Sequence, residues 1–391
     1  MMLEDFLAPV SGQAFEDAKA ENPRNLAHHI LIHDELEGLP PLTGVKMALL
    51  GIMEDRGALR NSGCDEGPEA IRGHLYRLMP GSWNAQVADL GNIYKGETLQ
   101  DTHFAVKSVC HELLKQGIIP IVLGGSQDMT YSAYRGYDGL EQSVNLALID
   151  NRFDLGNTDE SLNSKSFLSH IILQKPYLLF NCSLMGYQSY FTLPEEIDLM
   201  DRMHFEAYRL GVLRENLREA EPMVRDADIV SFDLSAIRQA DFPGTAYGSP
   251  NGFTGEQACA IARYAGLSDK VSTFGLFEYN PELDHNGLSA HLAAQMVWYF
   301  IEGWHARKGD YPFGSKKDYL RFTVLINEGE HELVFYKSPR SERWWMEVPM
   351  ASHTNPRLNR HTLVPCSYED YQRAIAQEIP ERWWRAYKKG I

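Results

Sequence analysis

Long apolar runs are absent. No stretch of about eighteen consecutive apolar residues occurs, which removes a membrane-spanning helix from consideration. Cysteine is scarce as well. Cys64, Cys110, Cys182, Cys259 and Cys366 are scattered, odd in number and form no Cys-x-x-Cys pair. That excludes a zinc ribbon and favours reduced thiols in a cytoplasmic protein. Positive charge is also short: 37 Lys and Arg stand against 53 Asp and Glu, a net charge of -16. Phosphate binding needs clustered Lys and Arg, so nucleic acid and anionic membranes are disfavoured as partners. There is no internal repeat and no low-complexity tract. The opening Met1-Met2-Leu3-Glu4-Asp5 lacks the basic-then-apolar order of a signal peptide. Gly124-Gly125 is not followed by the Lys of a phosphate-binding loop.

What remains is a chain of 391 residues, 44% apolar and 23% charged, enough to bury a large core. Residues 1–45 are mixed and predict a helical N-terminal arm. From residue 46 short apolar runs alternate with amphipathic stretches. Strands are expected at 45–52, 86–90, 118–123, 145–149, 177–180, 208–212, 227–232 and 271–277. Helices are expected at 67–78, 100–115, 255–264 and 288–302. This alternation predicts an α/β domain over 46–305, with a mainly parallel sheet covered on both faces. Beyond residue 305 the pattern becomes antiparallel: 319–326 and 332–336 flank Asn327-Glu328-Gly329-Glu330 as a β-hairpin. Four of the seven tryptophans follow, as Trp344-Trp345 and Trp383-Trp384. Such a tail is expected to bury itself on its own domain or at a subunit contact. The pattern thus divides the chain at 1–45, 46–305 and 306–391.

Ligands of parallel sheets sit at the carboxyl ends of the strands. Here those ends carry Gln127, just beyond Gly124-Gly125, and Asp150, Asp233 and Glu278. Any one of these is equally well a helix cap or turn former; the set of four is the functional signal. His28, His29, His33 and Asp34 have no useful metal-ligand spacing and read as an ordinary surface segment.

Six motifs carry a resemblance. Gly51 to Gly57 is followed by Arg60-Asn61-Ser62-Gly63 and by Glu66-Gly67-Pro68-Glu69-Ala70-Ile71-Arg72. After these come Leu123-Gly124-Gly125-Ser126-Gln127-Asp128 and Asp150-Asn151-Arg152-Phe153-Asp154. Next are Ser231-Phe232-Asp233-Leu234-Ser235-Ala236-Ile237-Arg238 and the loop Pro243-Gly244-Thr245 with Asn251-Gly252-Phe253-Thr254. The last is Glu278-Tyr279-Asn280-Pro281-Glu282-Leu283-Asp284. In this order they resemble the ureohydrolases, the arginase, agmatinase and formimidoylglutamase superfamily. The Arg60-Asn61 segment is most similar to the formimidoylglutamase branch. The resemblance implies a three-layer α/β/α arginase-like fold and frequent homo-oligomers.

It also implies a site for two Mn2+ at Gln127, Asp150, Arg152, Asp154, Asp233 and Ser235. Three of those positions keep the expected carboxylate: Asp150, Asp154 and Asp233. Gln127 and Arg152 stand where the family has histidine, Ser235 and Arg238 where it has aspartate. A guanidinium has no acceptor lone pair and ligates nothing. Arg152 and Arg238 are therefore expected to act as internal counter-ions among the three carboxylates, with no metal cofactor. A single Mn2+ or Mg2+ on Asp150, Asp154 and Asp233 is the alternative, since hard cations accept all-oxygen sites. The resemblance further assigns Glu278 to the amidine or guanidine group of a small-molecule ligand, and Asn61 and Arg60 to the rim loop near the ligand's carboxylate end. Three functions follow. The first is a binding, regulatory or scaffold protein without family hydrolysis. The second is a formimidoylglutamase-like hydrolase with a degraded or mononuclear site. The third is a different, metal-free reaction using Asp150, Asp154 and Asp233 as acid or base.

Overall fold

The computed structural model describes residues 3–140, 142–312, 315–329, 331–350 and 356–390. Met1, Met2 and Glu330, on which expectations above partly rest, lie outside them.

Nine parallel strands form the central sheet: β1 (Ile30–Ile32), β2 (Val45–Met53), β3 (Gln86–Tyr94), β4 (Ile119–Leu123), β5 (Val144–Ile149), β6 (Leu179–Tyr187), β7 (Glu206–Arg209), β8 (Ile229–Asp233) and β9 (Thr273–Phe277). Their order is β1-β3-β2-β4-β9-β8-β5-β6-β7. Alternate side chains of one strand serve opposite faces, as period-2 geometry requires. Met47 and Leu49 pack under the helices Gly67–Leu75, Gly255–Leu267 and Leu288–His305, whereas Ala48 and Leu50 pack under Leu99–Lys115. Both faces are covered, which is why the strands read as nearly unbroken apolar runs. Two long helices start on capping boxes, Thr98 with Asp101 and Thr254 with Gln257.

Three expectations shift. The strand expected at 177–180 runs instead from Leu179 to Tyr187. Asn181 and Ser183 disguise it, because they are buried polar residues; the Asn181 amide donates to Glu206 Oε1 at 3.1 Å. The stretch expected as one strand at 208–212 divides into β7 and a helix, Leu210–Glu215, in which Leu210 and Leu213 bury one face. The N-terminal arm holds a helix, Gly12–Glu21, and also supplies the edge strand β1, which pairs with β3. His33, just past β1, is buried with Nδ1 3.0 Å from Leu90 O, not on the surface.

The C-terminal residues form a second, antiparallel sheet, β10 (Leu320–Ile326), β11 (His331–Lys337), β12 (Trp344–Glu347) and β13 (Leu363–Cys366). The β10–β11 pair is the expected hairpin. Trp344, Trp345 and Trp383 are buried, while Trp384 is 41% exposed. Arg225, in the helix Ala220–Asp226, docks this sheet: its guanidinium lies 4.5 Å from the Trp345 ring and donates to Trp344 O and Cys366 O at 3.1 Å each. Among the described residues no helix is long and apolar enough to cross a membrane.

One buried ion pair fixes the first helix of the domain to the sheet. Arg72 donates to Asp89 through Nε at 2.8 Å and Nη2 at 2.9 Å, and to Asn92 Oδ1 at 2.6 Å. Tyr76 completes Asp89 at 2.8 Å. Gly51 is obligatory beside them, because a Cβ there would lie 2.1 Å from Asn92 Oδ1. Breaking such a pair leaves a buried charge alone. Arg72→Met is expected to cost about 3–5 kcal/mol in urea denaturation, with much of it recovered in Arg72→Met/Asp89→Leu.

The last helix, Glu381–Gly390, sets the half-buried Lys389 against Asn181. Burial brings the Lys389 ammonium down to about 8, against the pull of Glu206 and Asp226. A base whose pKa falls on folding gives up its proton earlier in the folded state. Stability from this group therefore rises with pH between about 8 and the unfolded lysine value. Urea midpoints across that interval should rise for the parent and flatten for Lys389→Met.

Candidate functional site

Four neighbouring strands, β4, β9, β8 and β5, end on the same edge of the sheet. Their carboxyl ends deliver Gln127, Glu278, Asp233 and Asp150 to one cleft. The turn after β4 depends on glycine: Gly124 and Gly125 have φ of +72° and +74°, and a Cβ on Gly124 would lie 2.6 Å from Pro68 Cδ. Two site residues hold the same left-handed conformation without being glycine, Asp154 at φ +53° and Glu278 at φ +64°. Strain of this kind persists only where the surroundings enforce it.

Asp150, Asp154 and Asp233 converge. Each offers an oxygen within 4.8 Å of the others, and all three are buried. Asp150 Oδ1 accepts the Arg152 amide at 3.1 Å, and Asp233 Oδ1 accepts the Ser235 amide at 2.7 Å. Burial, then the charges of Asp154 and Asp233, push the Asp150 carboxyl well above its usual range. The Asp154 carboxyl is likewise pushed up, by burial first, with Lys165 opposing.

The positive charge facing this cluster is Lys165. Its Nζ lies 3.3 Å from Asp154 Oδ1, 3.4 Å from Asp154 Oδ2 and 4.0 Å from Asp233 Oδ2, and 4.3 Å from the Tyr247 ring centroid. Burial opposes its charge, but Asp154, Asp233 and Asp150 outweigh burial and hold the ammonium above its ordinary pKa. The two arginines expected here are elsewhere. Arg238 is half-buried and paired with Asp241 at 2.9 Å. Arg152 turns its Nε to Asn151 Oδ1 at 2.9 Å and lays its guanidinium 5.0 Å from Phe191 and 5.6 Å from Tyr247. It acts on Asp154 only behind burial, Lys165 and Asp233. Its backbone is fixed next to Asp150, so the side chain avoids crowding Lys165 by stacking on the rings.

Glu278 is fully buried. Its Oε1 accepts the Gln127 amide at 2.8 Å and its Oε2 accepts Asn61 Nδ2 at 2.8 Å. Burial, then Asp233, push it up to about 8, against the opposing effects of Lys165, Gln127 and Asn61. Asn61 was expected on the rim. It lies instead beneath Glu278, wholly buried, and its Oδ1 accepts the Ala246 amide at 3.0 Å. Arg60 is exposed at the rim, its amide 3.2 Å from Tyr247 Oη. Gln127 donates from Nε2 to Ser231 Oγ at 2.9 Å, and Ser235 Oγ accepts from Asn151 at 3.1 Å.

Sequence reasoning missed Lys165, Asn151 and Tyr247. The need for a positive charge was visible, but Lys165 lies in an irregular loop eleven residues beyond Asp154 with no pattern around it.

The model of the arginase family matches residues 45–302. The chain belongs to the arginase family. Arginase-family relatives include the formimidoylglutamase of Geobacillus kaustophilus, 26% identical over 295 residues, covering 71% of this chain and 90% of that protein. The formimidoylglutamase of Cupriavidus pinatubonensis is 28% identical over 288 residues, covering 65% and 86%. Among solved structures, the formiminoglutamase of Trypanosoma cruzi with Mn2+2 superposes with a TM-score of 0.63 at 20% identity, covering 68% of this chain and 96% of that one. The formimidoylglutamase of Bacillus subtilis gives 0.63 at 17% identity, covering 71% and 92%. These structures establish the arginase-like fold.

A metal is therefore implied, and the donors test it. Asp154 Oδ1, Asp233 Oδ2 and Gln127 Oε1 are buried oxygens without a hydrogen-bond donor. An acceptor-rich pocket of three carboxylates suits one hard divalent cation. A second ion is not matched: Arg152 offers no lone pair, and Ser235 offers only a neutral hydroxyl already hydrogen-bonded to Asn151.

The placement of Asn61 has a measurable consequence. Asn61→Leu strips Glu278 Oε2 of its side-chain donor and leaves the Ala246 amide unpaired. The expected cost is about 2–4 kcal/mol by urea denaturation; a rim residue would cost within about 0.5 kcal/mol.

Proposed function

We propose that this chain hydrolyses a C–N bond in a linear amidine, with a single divalent cation, Mn2+ or Mg2+, held by Asp150, Asp154 and Asp233. The observation that carries this reading is the juxtaposition of a buried carboxylate triad, rich in acceptor oxygens without donors, with a separately anchored carboxylate, Glu278. When bound, such an ion lowers the pKa of water towards 7 and so supplies a nucleophile at neutral pH.

The chain's own residues do the rest. Glu278 receives the planar amidinium, a cation whose N–H groups match a carboxylate. The Asn61 amide and the Gln127 backbone N–H fix the orientation of Glu278 before the ligand arrives, so little ordering remains to be done on binding. Arg60, exposed with its amide against Tyr247, and Arg152, its guanidinium 5.6 Å from the same ring, are the neighbouring cations suited to an anionic tail. The relatives' names suggest N-formimidoyl-glutamate as the substrate. Water adds to the amidine carbon, the bond to the glutamate nitrogen breaks, and glutamate and formamide leave.

One observation favours a second reading, a metal-free ligand-binding protein: Lys165 already sets a positive charge against Asp154 and Asp233. Calorimetric titration of chelator-treated protein with Mn2+, paired with an assay of formimidoyl-glutamate hydrolysis, separates the two. The hydrolase reading expects about one ion per chain and turnover that Glu278→Gln lowers by about a hundredfold or more, with the metal stoichiometry unchanged. Binding of the amidine with no bound ion and no turnover would establish the second reading instead.

A further inference from the structure

We propose that Lys165 is the resident cation of the carboxylate triad, so that a divalent ion enters by displacing its ammonium rather than by filling a free site. This deepens the reading of a single-ion site and rests on it.

Three observations carry the inference. The first is position. Lys165 Nζ lies against the oxygens that face an ion, 3.3 Å from Asp154 Oδ1 and 4.0 Å from Asp233 Oδ2. Those two oxygens are the ones without hydrogen-bond donors. An ammonium and a divalent ion cannot share them, because like charges so close in a poorly screened pocket repel strongly, twice as strongly for a doubly charged ion as for a second ammonium.

The second is that the placement is built. The Lys165 amide donates to Asn163 Oδ1 at 2.9 Å, and the Lys165 carbonyl accepts the Gly156 amide at 2.8 Å. The neighbouring Ser164 amide donates to Gly57 O at 2.9 Å, tying the loop to the first strand-loop segment of the domain. A Cβ on Gly156 would lie 2.6 Å from Lys165 O, so the close approach of the two backbones requires glycine there. The backbone of the loop is pinned while the long side chain reaches inward.

The third is a path of withdrawal. The Lys165 side chain is 20% exposed, and its ammonium already rests on the Tyr247 ring at 4.3 Å. An aromatic face holds a displaced ammonium without stripping it of all favourable contact. Rotation about the terminal lysine torsions then vacates the carboxylates with no backbone movement.

The test uses the full chain, Mn2+ as the probe, and two variants. In Lys165→Met the triad loses its cation. Its metal-free form is expected to melt well below the parent, and its Mn2+ affinity to rise by about tenfold or more. Added Mn2+ should then raise its Tm more than it raises the parent's. In Lys165→Met/Asp154→Asn one negative charge leaves with the positive one, so the metal-free Tm recovers while the raised affinity is lost. That double variant also keeps the test decisive if the single one folds only with ion present. An unchanged Mn2+ affinity in Lys165→Met, or an unchanged metal-free Tm, overturns the inference. A parent that binds no Mn2+ beside a Lys165→Met variant that does would overturn the hydrolase reading and the exchange, leaving Lys165 as the permanent cation of the triad.

Discussion

Carboxylates that share a dry pocket repel one another, and water is not there to screen them. Asp150, Asp154 and Asp233 are in this position, each with an oxygen within 4.8 Å of the others. Two like charges at such range cost several kcal/mol even at an effective dielectric of about 20. The fold answers with Lys165, whose ammonium stands 3.3 Å from Asp154 and 4.0 Å from Asp233, while burial and the neighbouring charges push the Asp150 carboxyl up toward its neutral form. Everything said of the site follows from this need for positive charge, whether lysine or a divalent ion supplies it.

The sheet makes the convergence unavoidable. Because β4, β9, β8 and β5 lie side by side and parallel, their carboxyl ends meet at one edge. A polar residue just beyond each strand then faces the same cleft. Gly124 and Gly125 turn the chain so that the Gln127 amide meets Glu278, and Glu278 itself is held at a positive φ by bonds from Gln127 and Asn61. The same placement keeps two groups apart: the triad gathers negative charge, while Glu278 takes its own donors from Gln127 and Asn61. Arg152 sits one residue beyond Asn151 yet outside the triad, on Phe191 and Tyr247.

Much of this was legible in the residues. Apolar runs of β-length ending in Asp150, Asp233 and Glu278 revealed both the parallel sheet and the rim of the cleft. The strand β6 was half hidden because Asn181 and Ser183 are buried polar residues; Asn181 donates to Ser183 and to Glu206, the latter on the next strand. Asn61 looked like a rim residue because its segment is rich in turn formers; its burial depends on Glu278 and Ala246, far along the chain. The counter-ion was sought at Arg152 and Arg238 because they stand inside the motifs. Charge balance correctly demanded a cation, but motif position says nothing of where a long side chain points. Arg238 had a nearer carboxylate in Asp241, and Lys165 came from a loop whose course no local pattern reveals.

The most direct measurement is a crystal structure of the chain soaked in Mn2+, with anomalous scattering collected at the manganese edge. One peak among Asp150, Asp154 and Asp233, with the Lys165 ammonium withdrawn toward Tyr247, is the expected result. Two peaks would show that Arg152 and Ser235 do not prevent a binuclear centre. No peak, with Lys165 still against Asp154, would show that the lysine alone holds the triad and that no ion serves the cleft.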